Sequence, residues 1–333
     1  MRVPLAVLLG ITMAAQLFTA RLNAEPATPG PTQQGLAQVN AALQAGQADR
    51  ALALLQSLPA PAGNSGEAHN LRCRVLFTLE QFEAARNDCE QAVSLDPQNS
   101  SYHLWLGRTL GEVADRANFV SAYSLAKRAR SEFEQAVQLN PQSAEALADL
   151  GEFYSSAPGV VGGGTDKAAG VAAQLDRVDP ARAHELRSAI ARENSDLGTA
   201  EREMKGAVAA SAHPAFQWMR LASFYRKAKR YAEMESAVQS GYAAAQHDSH
   251  AAVALFNGAS VLMRSNRNPA LAIKMLEAYL AAPAATEEAP AFAARVWLAR
   301  LKAQTGDSEG ARRERAGALA LAQGYKPAQD LRN

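Results

Sequence analysis

Residues 67–99 read EAHNLRCRVLFTLEQFEAARNDCEQAVSLDPQN, and this stretch decides the fold. Small or apolar side chains recur at helical spacing, with Cys73 and Leu76 on a first segment and Phe82, Ala85, Cys89 and Ala92 on a second. Recurrence every three or four residues places such side chains on one face of an α-helix. A break falls at Glu80-Gln81, and Asp96-Pro97 closes the unit, because the residue before a proline is biased away from helix. The stretch therefore predicts two helices folded back on each other, touching through alanine and cysteine.

The pattern returns along the chain. Residues 101–110, SYHLWLGRTL, supply a first helix with Leu106-Gly107, and residues 126–141, AKRARSEFEQAVQLNP, a second with Ala129, Phe133 and Ala136. Residues 144–154, AEALADLGEFY, repeat the Leu-Gly pair at Leu150-Gly151, and that unit closes through Ala168, Ala172 and Asp179-Pro180. Trp218, Leu221-Ala222, Tyr225 and Tyr231 follow in the same order, then Leu298-Ala299, Gly306-Asp307, Ala311 and Ala318. Weaker copies lie at 35–58, 183–208 and 255–280. The unit resembles the tetratricopeptide repeat, a helix–turn–helix of about 34 residues with small residues where its helices meet. Ala85 and Ala92 stand at that family's small positions, Phe82 at its turn aromatic and Pro97 at its closing proline.

The resemblance implies an all-α, right-handed α-solenoid of about eight repeats, near 35–60, 66–99, 100–141, 142–180, 181–212, 214–247, 251–284 and 291–325. One helical pair cannot bury its apolar stripe alone, whereas stacked pairs share a continuous core. No segment alternates with period two, so no strand is expected. Two units are enlarged: 44 residues separate Pro97 from Pro141 and 39 separate Pro141 from Pro180 (141 − 97 and 180 − 141). The first insertion, GEVADRANFVSAYSL at 111–125, lengthens helices or adds a short one; the second is a glycine-rich loop.

Composition agrees with a helical interaction module. The 333 residues are 48% hydrophobic and 20% charged with a net charge of +1, so nothing in the balance calls for nucleic acid. The N-terminus has Arg2, an apolar run from Val3 to Ala20 and Leu22-Asn23-Ala24 before Glu25-Pro26. It reads as a secretory signal at 1–24 cut after Ala24, giving a periplasmic or secreted protein; an uncleaved anchor is the alternative, the run being nearly long enough to span. A Pro/Thr/Gln/Gly-rich tether is expected at 25–34.

The glycine loop at 153–168, FYSSAPGVVGGGTDKA, raises the question of a phosphate cradle. A Walker-type loop needs Gly-Lys-Ser/Thr after a strand. Here Lys167 follows Asp166, and a helix comes before. Gly159, Gly162, Gly163 and Gly164 read instead as a turn, with Thr165 or Asp166 capping a helix that begins near Lys167. The loop is similar to one in exported repeat proteins related to the TRAP-transporter T component, and to one in the regulator-of-microtubule-dynamics family. That likeness implies a non-catalytic binding role, with a solute-binding component beside a transporter as the alternative function.

Other chemistry is sparse. Ser124 and Lys127 make an S-x-x-K match without its companion motifs. His247 and His250 have a metal-like spacing, but with no Cys or further His close in sequence they read as a solvated turn. Arg226 to Arg230 reads as a solvated basic turn. No enzyme, cofactor or metal site is therefore expected. Cys73 and Cys89 lie on facing helices of one repeat; free core thiols and a disulfide both stay open, with register the doubt over bridging.

By resemblance, a protein or peptide partner lies along the concave face formed by the first helices, in the manner of a cell-envelope scaffold. Candidates there are Asn70, Arg74, Phe77, Leu104, Trp105, Arg108, Ala148, Glu152, Met219, Arg220 and Ser223. Arg74 and Arg108, one repeat apart, are expected to clamp a carboxylate. Trp105 serves either the partner or the packing of the insertion. Membrane contact is expected only with an uncleaved signal.

Overall fold

The structure, a computed structural model, describes residues 31–282 and 286–331. The expected signal at 1–24 lies outside these residues, as does most of the expected tether; its last residues, Pro31 to Gln34, open the first helix instead. Eight antiparallel pairs follow: α1 (Pro31–Gln44) with α2 (Ala48–Ser57), α3 (Gly66–Thr78) with α4 (Phe82–Leu95), and α5 (Ser100–Arg116) with α6 (Phe119–Leu139). Next come α7 (Ala144–Ser156) with α8 (Thr165–Leu175), α9 (Pro180–Glu193) with α10 (Leu197–Ala210), and α11 (Pro214–Lys227) with α12 (Tyr231–Ala245). The last pairs are α13 (Ala252–Ser265) with α14 (Pro269–Ala281) and α15 (Ala291–Gln304) with α16 (Ser308–Leu321), ended by a short α17 (Lys326–Gln329). This is a tetratricopeptide-like α-solenoid, without strands among the described residues. Nor is any described helix long and apolar enough to cross a membrane.

The turn inside a repeat has one solution in six of the eight. Gly46, Glu80, Ser195, Lys229, Asn266 and Gly306 each sit between the two helices with φ between 53° and 90°. A left-handed residue there reverses the chain at once and lets the turn's N–H groups reach back, as Gln81 N–H does to the Leu76 carbonyl. The enlarged repeats abandon it. In the first, the insertion is taken up as helix, so α5 and α6 reach 17 and 21 residues, and Asn118 caps α6 through the Ser121 N–H. Gly107 lets these helices cross closely, since a Cβ there would stand 2.7 Å from the Phe133 ring.

Polar contacts between the helices of a pair are also repeated. His69 meets Asp88 at 2.8 Å, His103 meets Glu132 at 2.6 Å, His184 meets Glu203 at 2.7 Å and Arg295 meets Glu314 at 2.7 Å. His103 is buried, and its other ring nitrogen faces the Pro97 carbonyl at 3.0 Å. Two acceptors on one imidazole require two N–H donors, which is the protonated ring. The Glu132 hydrogen bond accordingly raises the His103 pKa, with the Pro97 carbonyl aiding and burial opposing.

The ends of the solenoid meet. Leu36, Val39 and Leu43 of α1 share one buried cluster with Phe292 and Val296 of α15, Ala318 of α16 and Tyr325 beside α17. Arg74 on α3 donates to both carboxylate oxygens of Glu287, at 2.9 and 2.5 Å, across 213 residues of sequence. Gln44 also bonds Glu287, Asp49 accepts from the Gln323 N–H, and the Tyr325 hydroxyl donates to Glu80. The apolar part dominates this closure. Emptying the site of a buried phenylalanine costs about 3–5 kcal/mol, and Phe292 is 1% exposed. The ion pair fixes register.

Two outcomes are expected. In a double-mutant cycle on Arg74→Ala and Glu287→Ala, urea unfolding gives a coupling of about 1–3 kcal/mol; strictly additive losses mean the ends do not meet in solution. Because the His103 pKa is raised on folding, its contribution is full below the ordinary histidine value and fades as pH rises through the folded one. His103→Gln should therefore cost about 1 kcal/mol more at pH 5.5 than at pH 8.5, and an equal cost at both contradicts the protonated assignment.

Candidate functional site

The first helices bring several concave-face candidates together, but in a chain of internal contacts. Trp105 is half-buried, edge-on to Phe77 with centroids 5.5 Å apart. The Arg74 and Arg108 guanidinium groups lie 5.4 and 4.8 Å from its ring centre. Arg74 then reaches Glu287, while Arg108 reaches Asp149 at 2.5 Å and Glu145 at 2.7 Å. Both arms of the expected clamp already carry a carboxylate of the same chain. Trp105 packs on these arginines and Phe77. Burial is the largest influence on Asp149 and lifts its carboxyl above the usual range, against the pull of Arg108.

Three candidates face inward. Asn70, Leu104 and Met219 are 5%, 4% and 1% exposed, so none offers a surface to a partner. Helix periodicity assigns them to a first helix's outward side, yet in a curved stack that side is covered by the next repeat. Phe77, Ala148 and Ser223 are half-buried, and Glu152 and Arg220 exposed.

Two openings remain on the inner face. One, of about 490 Å³, is bounded by Phe77, Arg108, Asp149, Phe153 and Val161. The other, of about 200 Å³, lies among α7, α9 and α11 and is lined by Ser155, Arg182, Glu185, Arg192, Arg220 and Lys227. Glu152 and Ser156 border both. In the smaller cleft Arg220 pairs with Glu185 at 2.8 Å and Arg182 with Asp179 at 3.2 Å. The side chains of Arg192 and Lys227 have no ion-pair or hydrogen-bond partner among the described residues. Burial first, then the cations Arg192, Arg226 and Arg220, holds the Lys227 ammonium below the usual lysine range. Four cations, Arg182, Arg192, Arg220 and Lys227, face three carboxylates, Glu152, Glu185 and Glu193, and Glu152 partly offsets the repulsion at Lys227.

Lys227 belongs to the stretch read from sequence as a solvated turn, and the structure divides it. Arg230 bonds Glu201 and Glu233 and lies 4.6 Å from the Tyr225 ring centre, whereas Lys227 borders the cleft. Arg192, on α9, had no counterpart among the sequence candidates; its position at the end of a basic-ended first helix, as Lys227 is on α11, was the available signal.

The glycine loop is a structural turn. A 3₁₀ turn at Gly159–Val161 leads to Gly162 at φ 100°, and α8 starts at Thr165, two residues before the expected start. Gly164 occupies the cap position without a side-chain bond, so neither Thr165 nor Asp166 caps; Asp166 lies within the first turn, where its charge complements the helix dipole. The N–H groups of Gly162, Gly163 and Gly164 donate to the carbonyls of Gly159, Pro158 and Tyr154. They are engaged, which leaves no anion nest. A Cβ at Gly163 would fall 1.8 Å from the Ala157 carbonyl oxygen, so only glycine fits. Lys167 Nζ donates to the Gly162 carbonyl at 2.9 Å and lies 5.4 Å from the Tyr154 ring centre, closing the loop on itself.

Cys73 and Cys89 form a disulfide with Cα atoms 5.3 Å apart, which settles the register doubt. The bond ties α3, which presents Arg74 and Phe77, to α4, and both sulfurs lie against Thr109 of α5.

Residues 77–169 match the family described as plant specific mitochondrial import receptor subunit TOM20. That span is 93 residues (169 − 77 + 1), under a third of the chain. No curated protein matches the sequence. Among solved structures, a thermophilic TPR protein of Thermus thermophilus is similar at 20% identity and TM-score 0.48, covering 58% of this chain and 98% of that one. The protein MamA is similar at 18% identity and TM-score 0.42, covering 54% and 91%. The C-terminal part of a TPR repeat-containing protein from Cytophaga hutchinsonii is similar at 14% identity and TM-score 0.41, covering 89% and 98%. At such identities the likeness extends to no functional residue.

Replacing both cysteines with serine should lower the unfolding free energy by about 3 kcal/mol, the scale for a short disulfide loop. An unfolding midpoint in urea that is insensitive both to this change and to reductant would show that the bond does not contribute.

Proposed function

We propose that the chain is a non-catalytic scaffold whose inner face holds an extended, acidic segment of a partner protein, with the cleft among α7, α9 and α11 as the anchoring point. The observation that carries this reading is the pair Arg192 and Lys227, cations whose side chains make no ion pair or hydrogen bond among the described residues, beside an opening on the inner face. A carboxylate placed between them would offset the neighbouring cations that add to burial in holding the Lys227 ammonium low, and guanidinium–carboxylate bonds are among the stronger polar contacts. The neighbouring opening supplies apolar wall through Phe77, Phe153 and Val161 for the segment's other side chains. Nothing in the comparisons favours the solute-uptake alternative, and the glycine loop has no unengaged N–H at Gly162–Gly164 with which to serve it.

The same reading takes the protein to act outside the reducing cytoplasm, in the periplasm or beyond. The apolar N-terminal run supports this, and so does the Cys73–Cys89 bond, since disulfides persist in oxidising compartments.

The test uses the full mature chain and a fluorescein-labelled octapeptide of alternating Glu and Ala with a free C-terminus. Fluorescence polarisation should show binding that weakens with salt and falls at least tenfold in Arg192→Glu/Lys227→Glu, about 1.4 kcal/mol or more. Equal affinity of wild type and this variant, at unchanged thermal stability, overturns the assignment of the cleft.

A further inference from the structure

The turn at residues 246–251 carries His250 two residues after Asp248, and apart from His247 the sequence places no other histidine near it. The fold does. The turn before α11, one repeat earlier, delivers His213 to the same point, and the His213 and His250 rings stand 4.8 Å apart between centroids. His213 Nδ1 lies 2.9 Å from one Asp248 oxygen, and His250 Nδ1 lies 3.5 Å from the other. One ligand atom from each of the three lies within 4.8 Å of those of the other two, an arrangement met at no other place among the described residues.

The remaining histidine–carboxylate contacts provide the contrast. His69, His103 and His184 each face a carboxylate across one helix pair as the one imidazole on it, with Arg72 also on Asp88 and Arg187 also on Glu203. Here two imidazoles share one carboxylate. Two imidazolium rings this close repel, and two neutral rings can each donate from Nδ1 to a separate Asp248 oxygen, the His250 contact being the longer at 3.5 Å. A divalent cation satisfies all three together, accepting an imidazole lone pair from each side and neutralising the acid. Asp248 is well placed as the fixed member: its side chain is 14% exposed, and it accepts the His250 backbone N–H at 2.8 Å. The histidines are the movable members, with side chains 55% and 73% exposed, so the ligand atoms can draw in toward the tighter spacing of a coordinated ion.

We propose that His213, Asp248 and His250 form a binding site for a divalent transition-metal ion of the zinc, nickel or copper class. Two nitrogens and one oxygen suit such borderline ions better than calcium or magnesium, which favour all-oxygen shells. Three protein ligands leave at least one position for water or for a side chain of another molecule. Because the ligands come from turns of adjacent repeats, a bound ion would staple the turn before α11 to the turn before α13. The site does not involve Arg192 or Lys227, and it stands or fails independently of the partner-binding cleft.

The experiment is isothermal titration of Zn²⁺ into the full mature chain after removal of metal by a chelator. The expected result is one saturable equivalent and a rise in melting temperature. Affinity should fall at least tenfold in His213→Gln and again in His250→Gln, on the scale of losing a metal ligand or its support, while His247→Gln, one position outside the trio, leaves it unchanged. Absence of a saturable equivalent overturns the site. So does zinc binding that survives in His213→Gln/His250→Gln, or that is lost in His247→Gln alone. The three substitutions lie on turns, and circular dichroism of each variant without metal confirms that the fold is retained.

Discussion

The contact on which the rest of the molecule depends is the one between its two ends. Stacked helix pairs by themselves make an open spiral whose terminal repeats each leave one face uncovered. Here Leu36, Val39 and Leu43 of α1 belong to one buried cluster with Phe292 and Val296 of α15, and Glu287 locks the arrangement by reaching Arg74. The buried cluster of the first repeats thereby continues into the last, with Trp297 packed against both that cluster and the one before it. The closure also decides which inner-face charges are available. Glu287 engages Arg74, Arg74 lies over Trp105, Trp105 lies under Arg108, and Arg108 is held by Asp149 and Glu145. Successive inner-face elements are linked in this way. The unpaired cations, Arg192 and Lys227, occur beyond the end of that chain.

What could be read from sequence follows the range of the forces involved. Helix pairing is local, so Ala85, Ala92 and the Leu-Gly pairs were enough to place the repeats and the two enlarged units. Contacts that depend on the summed rotation of many repeats were illegible. The partner of Arg74 lies 213 residues away and the ring that meets His250 comes from one repeat earlier, and nothing in either local pattern encodes those distances. Asn70 and Met219 show the same limit from the other side. Periodicity assigned each to a helix face correctly enough, but curvature of the stack decided that the face was buried.

Local geometry set a second limit. Whether Cys73 and Cys89 could bond depended on an ångström-scale register that a Cα separation of 5.3 Å satisfies. At the glycine loop, sequence excluded a phosphate cradle from the missing Gly-Lys-Ser/Thr, yet it misplaced the helix start by two residues. Several residues there are chemically acceptable caps, and the choice fell to Gly164 because the loop's N–H groups turn back to Gly159, Pro158 and Tyr154.

These constraints bear on how the inner face recognises anything. An open solenoid adapts to its ligand by flexing from repeat to repeat, spreading a small strain over many interfaces. A closed one has no free end, so opening the cleft among α7, α9 and α11 must disturb either the apolar contact at Phe292 or the ion pair at Glu287. The Cys73–Cys89 bond stiffens the repeat next to that contact, and the inward hydrogen bonds of the glycine loop stiffen one wall of the larger opening. Adjustment is then left to side chains, above all to Arg192 and Lys227, which no internal bond restrains. Such a site is pre-organised: little ordering is required of the protein on binding, and selectivity rests on whether a ligand places negative charge beside Arg192 and Lys227 and away from Glu152, Glu185 and Glu193.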